Sequence, residues 1–285
     1  MIEKNNSLVK IPNPQDFKYK IHDFHCHLAE DLGQNQTRYG IRSMCIMPSW
    51  KNWRNIDVID FSKEENNDFV NSTEYINKLS DIESSIKKWH GKIYRFIPVN
   101  FNKPKEEFNR SLDSLEITGL KLHPLQNFKI NHNTLDPYFN QAEKRNLIIY
   151  IHTDWIPSTE YGKVKNLMPD TFCKIAEMYP QVTMIMGHSG FNDSYVNVWK
   201  YVKKYTNIYA ETSCAPTPSE LEKIVYKADP KRILFGSSYP LSHTAGEIIK
   251  ITKMLKVTEP QKKAIFYDNA ARLLNDRPCV EVNDK

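Results

Sequence analysis

The sequence predicts an α/β protein, a (β/α)8 TIM barrel in which eight parallel strands alternate with helices. From residue 93 onward, short apolar and β-branched runs recur roughly every 25–30 residues, with a helical pattern in each gap. The runs are apolar along nearly their whole length, which is typical of parallel strands covered on both faces. An open doubly wound sheet is the competing topology, but the chain has only nine glycines and no Gly-rich phosphate turn.

The predicted elements follow one another in a regular order. The eight candidate strands cover residues 19–25, 41–47, 93–99, 118–124, 147–153, 182–188, 207–212 and 232–238. Candidate helices cover residues 72–91, 103–116, 135–146, 168–180, 193–205, 217–229, 244–255 and 259–274. The first of these helices begins at a Ser-Thr cap and ends at Gly91, and the second has Pro104 in its first turn. The stretch 48–71 has no assigned element, and a loop of that length is typical of a lid or a functional loop.

Composition restricts the class of protein. With 285 residues and 40% hydrophobic residues, the chain can bury one large core, and we expect a single domain over 1–285 with its core at about 20–275. Acidic and basic residues alternate around a net charge of +5, which argues against a nucleic-acid stripe. Five scattered cysteines without a CxxC pair suit a reducing compartment. No apolar run reaches spanning length, so we expect a cytoplasmic protein with no membrane partner.

Histidines fall at the ends of predicted strands. The stretch DFHCHL places His25 and His27 on one face of the first strand, with Asp23 expected on the same inner face one layer below. His123, His152 and His188 end the fourth, fifth and sixth strands, so five of the nine histidines lie at strand ends. A lone strand-end histidine is more often structural than a ligand. Five of them converge at the mouth of a barrel, where active sites of this fold lie.

Clustered neutral imidazoles indicate metal chemistry. Three of them can hold Zn²⁺ and leave a fourth position open for water. Water bound there reaches a pKa near 7 and becomes a nucleophile at neutral pH.

The ordered motifs DFHCHL, GLKLHP, IHT, GHSG and ILFGSSYP resemble those of the amidohydrolase superfamily, in its amidohydrolase-related branch. That branch includes aminocarboxymuconate-semialdehyde decarboxylase and small-ring lactonases. The resemblance covers about residues 20 to 275 and implies a (β/α)8 barrel with one divalent metal per chain, Zn²⁺ or another first-row ion. It implies His25, His27 and His152 as the metal ligands. It also implies that His188 polarises the substrate, contacts the bound water or serves as a further ligand.

One residue departs from the branch pattern. The eighth strand of that branch normally ends in GSDxP, whose Asp binds the metal and acts as general base, whereas Ser238 stands at that position here. A serine hydroxyl can hold a water but cannot readily take its proton. Candidate replacement bases are His188, Asp154 and Glu211, with His188 preferred because imidazole titrates in the useful range. Asp154 is alternatively a turn cap, and Glu211 alternatively pairs with a basic residue.

Four residues are candidates for substrate binding: Lys121, His123, Glu211 and Trp155. Lys121 shares one face of the fourth strand with His123. Some amidohydrolases carboxylate a lysine on this strand to bridge two metals, but without the Asp such a site would be incomplete. We therefore favour a structural or substrate-carboxylate role for Lys121.

These observations predict a metal-dependent hydrolase that acts on a small amide, lactone or ester through metal-bound water, with His188, Asp154 and Ser238 as its catalytic residues. Two alternatives stay open: a non-oxidative decarboxylase of the same family, and a barrel that is catalytically altered or inactive because Ser238 replaces the Asp. We expect a small-molecule substrate as the partner and no nucleic acid, and we leave a homodimer open.

Overall fold

A computed structural model gives the fold, and it describes residues 18–48, 75, 79, 82, 86, 89–101, 103–124, 128–153, 169–189, 197–215 and 217–282. Eight parallel strands follow one another around a barrel in the order of the sequence. They are β1 (Ile21–His27), β2 (Ile41–Met47), β3 (Gly91–Pro98), β4 (Gly119–Leu122), β5 (Ile148–His152), β6 (Met184–Gly187), β7 (Ile208–Glu211) and β8 (Ile233–Leu234). The predicted (β/α)8 barrel is therefore confirmed.

Backbone hydrogen bonds join the last strand and the loop after it to the first strand. The amide of Phe24 donates to the carbonyl of Phe235 at 2.8 Å, and the amide of His27 donates to the carbonyl of Tyr239 at 2.8 Å. A parallel bridge links Cys26 to Tyr239 between these two bonds. The polypeptide that carries His25 and His27 is thereby fixed to the loop that carries Ser238.

Helices lie between the strands, as the alternating pattern predicts. They are α1 (Leu32–Arg38), α2 (Lys105–Ser114), α3 (His132–Lys144), α4 (Pro169–Met178), α5 (Val198–Lys204), α6 (Pro218–Lys227), α7 (Thr244–Ile249), α8 (Glu259–Lys263) and α9 (Asn269–Leu274). A strand that the sequence pattern did not predict, β9 (Val280–Val282), pairs antiparallel with β3. No helix in the described part of the chain has the length and apolar character needed to cross a bilayer.

The strands separate two apolar layers. Side chains such as Ile149, Ile151 and Met186 point outward into a large cluster shared with the helices. Their neighbours along the same strands, Ile148 and Ile185, point inward to a smaller cluster. This alternation follows from the pleat of each strand, and it sends every second residue toward the barrel axis. The inner cluster forms the floor beneath the polar groups at the mouth.

A β-bulge in β1 changes which side chains face the axis. Asp23 pairs with Met44 and Cys26 with Ile46, so three steps along β1 oppose two along β2. Because of this extra residue, Phe24 and His25 both face inward, and Asp23 faces α1 on the outer side, where its carboxylate accepts a hydrogen bond from Gln36. The expectation that Asp23 shares the inner face with His25 is therefore wrong.

Two glycines let large side chains cross the barrel interior. A Cβ atom at Gly187 would meet the ring and hydroxyl of Tyr150. A Cβ atom at Gly236 would meet the carboxylate of Glu211, and it would lie 2.9 Å from the Cβ of His25. Glycine is required at both positions because only a residue without a side chain leaves this space open.

We expect Gly236→Ala to destabilise the fold by about 1–3 kcal/mol, because the added methyl displaces Glu211 or His25. Gly246→Ala is the matched control, since a methyl group added to this helical residue would have nothing within 4 Å of it. That substitution should stabilise the protein by up to about 1 kcal/mol. Urea unfolding midpoints measure both effects. Equal stabilities of the two variants would contradict the close approach at Gly236.

Candidate active site

Five imidazoles form one continuous arc at the carboxyl ends of the strands. The ring centroids of His27 and His25 lie 4.8 Å apart, those of His25 and His188 lie 4.9 Å apart, and those of His188 and His152 lie 4.7 Å apart. His123 stacks on His152 with 4.3 Å between ring centroids. The structure thus brings together all five of the strand-end histidines that the sequence analysis selected. His188 lies between the rings from β1 and the ring from β5.

Burial keeps these imidazoles neutral. It lowers the pKa of His27 to about 3 and the pKa of His188 to about 4. Burial also lowers the pKa of His25, His123 and His152 well below the ordinary value of 6.5, and the charge of Lys121 acts in the same direction. A neutral imidazole carries one nitrogen lone pair, and this is the form that binds metal ions.

Glu211 orients the imidazole of His25. Its Oε2 accepts hydrogen bonds from the hydroxyls of Tyr150 and Ser213, both at 2.8 Å, and from the amide of His188 at 3.3 Å. The amide of Ser213 donates to its Oε1. The Nδ1 of His25 lies 3.2 Å from the same Oε2, 2.7 Å from the Tyr150 hydroxyl and 3.1 Å from the Ser213 hydroxyl. Because both hydroxyls donate to the carboxylate, Nδ1 of His25 carries the hydrogen and its Nε2 carries the lone pair.

Backbone carbonyls fix the same tautomer in two further histidines. The Nδ1 of His27 lies 3.1 Å from the carbonyl of Met47, and the Nδ1 of His188 lies 3.2 Å from the carbonyl of Ser213. A carbonyl oxygen only accepts, so each Nδ1 bears the hydrogen. Metal-binding histidines commonly donate their other ring nitrogen to a carbonyl or carboxylate in this way. The lone pairs of His25, His27 and His188 are therefore all on Nε2.

His22 shows what a structural histidine looks like in the same strand. Its Nδ1 hydrogen-bonds the Ser43 hydroxyl, and its Nε2 lies 3.6 Å from the sulfur of Cys45. Both ring nitrogens of His22 are thus used. In contrast, the Nε2 of His25 is buried and has no hydrogen-bond partner among the described residues. A buried lone pair without a donor is costly, and a metal ion removes that cost.

The donor set fits a divalent first-row ion. Ligand atoms of His25, His188 and Glu211 lie within 4.8 Å of one another. From the sequence we expect His25, His27 and His152 as ligands, and His25 is the one that this close set contains. Its other two members are His188, which was expected to be catalytic, and Glu211, which was expected to bind substrate. Glu211 already accepts from four donors besides the Nδ1 of His25, and we therefore assign it the orientation of His25 rather than a place on the ion.

Lys121 is an isolated cation within this cluster. Its side chain extends into the barrel, where its Nζ lies 3.6 Å from the centroid of the Tyr150 ring. The residue is 2% exposed, and its Nζ has no hydrogen-bond partner in the described part of the chain. Burial lowers the pKa of Lys121 well below its ordinary value of 10.5, and the charge of Glu211 opposes this shift.

Ser238 lies next to the histidines at the seam between β1 and β8. Its amide donates to the carbonyl of His25 at 2.6 Å, and its side chain is buried next to Cys214. The backbone of Ser238 is left-handed, with φ of 52°. The seam is fixed from outside by Asp23, whose carboxylate accepts hydrogen bonds from the amide of Ser237 at 2.9 Å and from its hydroxyl at 2.6 Å. Burial raises the pKa of Asp23 to about 7, although these hydrogen bonds oppose the shift.

Sequence reasoning missed several residues of this site. Tyr150 and Ser213 contact Glu211, and Ser237 joins the loop after β8 to Asp23, which the sequence analysis named but placed on the inner face. Strand alternation could have placed Tyr150, because it lies two residues before His152 on an inward face. Two predicted site residues, Asp154 and Trp155, lie outside the described residues.

The loop after β7 is fixed from its outer side. Glu247 accepts a hydrogen bond from the amide of Cys214 at 3.1 Å, and it forms an ion pair with Lys250. Lys250 in turn donates to the carbonyl of Thr212 at 2.7 Å. These contacts bracket Ser213, which is the residue that touches His25, His188 and Glu211.

The family follows from a sequence comparison. A family model described as Amidohydrolase matches residues 82–275, which is more than half of the chain. The chain belongs to the amidohydrolase family. This membership confirms the resemblance that the ordered histidine motifs predict. A comparison with curated proteins gives no match.

Solved structures of the same fold include several amidohydrolase-type enzymes. An amidohydrolase 2 from Bifidobacterium longum subsp. infantis is 13% identical with a TM-score of 0.60, over 90% of this chain and 99% of that chain. A 2,6-dihydroxybenzoate decarboxylase from Rhizobium is 14% identical with a TM-score of 0.60, over 90% and 98%. Dihydroorotase from Campylobacter jejuni is 14% identical with a TM-score of 0.57, over 94% and 91%. At these identities the likeness concerns the fold.

We expect Glu211→Gln to weaken Zn²⁺ binding by about 10–100-fold, because an amide holds the Nδ1 hydrogen of His25 less well than a carboxylate does. Competition with a chromophoric chelator measures the affinity. The matched control is Glu220→Gln, which changes another buried carboxylate that accepts a backbone amide, that of Asn197 at 3.0 Å. The control should bind Zn²⁺ as the wild type does. Equal affinities for all three proteins would argue that Glu211 does not orient a ligand.

Proposed function

We propose that this protein is a metal-dependent hydrolase that acts on a small carbonyl compound, an amide, a lactone or an ester. The observation that carries the proposal is the buried Nε2 of His25, which lacks a partner among the described residues while Glu211 fixes the hydrogen on the opposite nitrogen. The neighbouring rings of His27 and His188 hold the same tautomer. Family membership supports the same chemistry.

His25, His27 and His152 would hold the ion, with His188 next to them. When bound, a divalent ion such as Zn²⁺ supplies a Lewis acid that polarises a carbonyl group and makes water more acidic. Thr153 contributes to the position of the β5 end, because its hydroxyl donates to the carbonyl of Gly187 at 2.5 Å. This bond couples the loop that begins after His152 to β6.

His188 is the group that moves the proton. Its Nδ1 hydrogen is held by the carbonyl of Ser213, so the lone pair that accepts the proton of the attacking water is on Nε2. The same nitrogen returns the proton to the leaving group. Burial lowers the pKa of His188 to about 4, so it is a weaker base at neutral pH than the ordinary imidazole that the sequence analysis assumes. Ser238 would orient the water through its hydroxyl, which accepts or donates but does not take a proton at neutral pH.

A non-oxidative decarboxylase is the second candidate. The isolated ammonium of Lys121 favours it, because a decarboxylase substrate is an anion and a cation in the mouth would attract it. Both candidates use the same ligands, so the products formed from a panel of lactones, amides and enoic acids separate them.

We expect protein purified without chelator to contain about one first-row metal ion per chain by mass spectrometry of the dissolved metal. His25→Ala and His27→Ala should each weaken Zn²⁺ binding by at least about 100-fold, since each removes a ligand. His132→Ala is the control, because this histidine lies on the surface and pairs with Asp136.

His152→Ala should lose more metal than His188→Ala does. The reverse order would assign the third nitrogen to His188, and the roles of the two residues would be exchanged. A metal-free wild type whose stability does not respond to added Zn²⁺ would overturn the hydrolase proposal and favour an inactive barrel.

We expect Ser238→Asp to raise the hydrolysis of an activated ester or lactone by up to roughly 100-fold, because a carboxylate at this position adds a second general base beside His188. Ser238→Asn is the matched control, since it has the same shape without the charge and also tolerates a left-handed backbone. Initial rates at equal metal content measure the effect. Lower rates for the aspartate variant than for the asparagine variant would mean that the serine belongs to an adapted site.

A further inference from the structure

We propose that Lys121 is an anion-binding residue and that the substrate of this barrel carries a carboxylate in addition to its reacting carbonyl group. The proposal rests on the proposed function in one respect, namely that the imidazole arc is where the substrate reacts. It names the chemical class of that substrate, which the family alone does not specify.

The ammonium of Lys121 lies within the ring of imidazoles. The Tyr150 ring beside it has its centroid 4.8 Å from that of His25 and its hydroxyl 2.7 Å from the Nδ1 of His25, and the charge of Lys121 lowers the pKa of all five histidines. The Nζ of Lys121 lies 3.6 Å from the centroid of the Tyr150 ring. A ligand bound against the imidazole arc would therefore lie within reach of this cation.

Within the part of the chain that the structure describes, no acidic side chain pairs with Lys121. The carboxylate of Glu211 is the acidic group whose charge acts on Lys121, but its oxygens accept hydrogen bonds from Tyr150, Ser213 and His188. None of the described residues hydrogen-bonds Nζ of Lys121. The ring face of Tyr150 compensates only a small part of the lost hydration.

Burial disfavours the protonated form of Lys121, and proteins rarely keep a buried lysine without a partner unless it has a use. A purely structural role is disfavoured because the Lys121 position would pack more stably as an apolar residue, as the inward-facing Ile148 and Ile185 do on neighbouring strands. An anion bound at Nζ supplies the missing partner. It would accept charge-assisted hydrogen bonds from Nζ of Lys121.

Lys121→Met tests the proposal together with pairs of small acids. Succinate and glutarate are compared with their monoamides, succinamate and glutaramate, by calorimetric titration of the zinc-loaded protein. Each pair shares one carboxylate, which can bind at the metal, and differs only in the second group. Lys92→Met is the control variant, because this lysine is exposed and pairs with Glu281 on β9.

We expect the wild type and the control to bind at least one diacid roughly tenfold more tightly than its monoamide. Lys121→Met should bind both members equally, keep its metal, and unfold at the same temperature as the wild type or a higher one. A wild type that binds diacid and monoamide equally, or that binds neither, overturns the proposal. A preference for the diacid that persists in Lys121→Met also overturns it.

Two further measurements complete the test. The first distinguishes an anion-binding ammonium from a carboxylated lysine, and the second distinguishes the anion site from the metal site. Incubation with ¹³C-bicarbonate followed by ¹³C NMR detects a carboxylated lysine, and a carbamate signal that Lys121→Met lacks would overturn the proposal, because the lysine would then be an anion itself. The titrations are repeated on chelator-treated protein. A diacid preference in a protein that binds no metal would support the anion site while the hydrolase proposal fails.

Discussion

The carboxylate of Glu211 at the centre of the barrel is the interaction on which the arrangement of the mouth depends. It draws hydrogen bonds from β5 through Tyr150, from the end of β6 through His188, and from the loop after β7 through Ser213. Each donor offsets part of the large cost of burying a carboxylate. The same group needs space, and Gly236 provides it. A single buried acid thereby links β5, β6 and β7 and fixes the tautomer of His25 on β1.

A second buried carboxylate acts on the opposite side of the same wall. The bulge in β1 turns Asp23 outward while it turns His25 inward, and Asp23 then holds Ser237 of the loop after β8. Glu211 on the inside, through His25, and Asp23 on the outside, through Ser237, therefore stabilise the same seam between β1 and β8. Because Ser238 follows Ser237 directly, the position of its hydroxyl depends on the outer bond as much as on the inner cluster. Bulges next to functional sites commonly re-aim side chains in this way.

Sequence periodicity was sufficient for the barrel and for the meeting of the histidines, because parallel strands of a closed barrel end at one mouth. Periodicity was insufficient in β1, where one extra residue shifts the pairing with β2. Strict alternation placed Asp23 inside, and no local signal in DFHCHL marks the bulge that turns it out. Tyr150 and Ser213 are ordinary residue types for a strand and a turn, so their importance comes only from their contacts with Glu211, which lies 61 positions from Tyr150 and two from Ser213. Spacing from His152 puts Tyr150 on the inward face, but it does not reveal the hydrogen bond to Glu211.

Two unsatisfied polar atoms at the mouth argue for a working site. One layer below the mouth, the inward positions hold apolar groups such as Ile148, Ile185 and Leu234. At the mouth, the Nε2 of His25 and the Nζ of Lys121 are buried without hydrogen-bond partners among the described residues. Each such atom costs about 1–3 kcal/mol, and more where it is charged. A barrel that served only as a scaffold would gain stability from apolar residues at both positions. A bound metal ion and an anionic ligand would recover that cost.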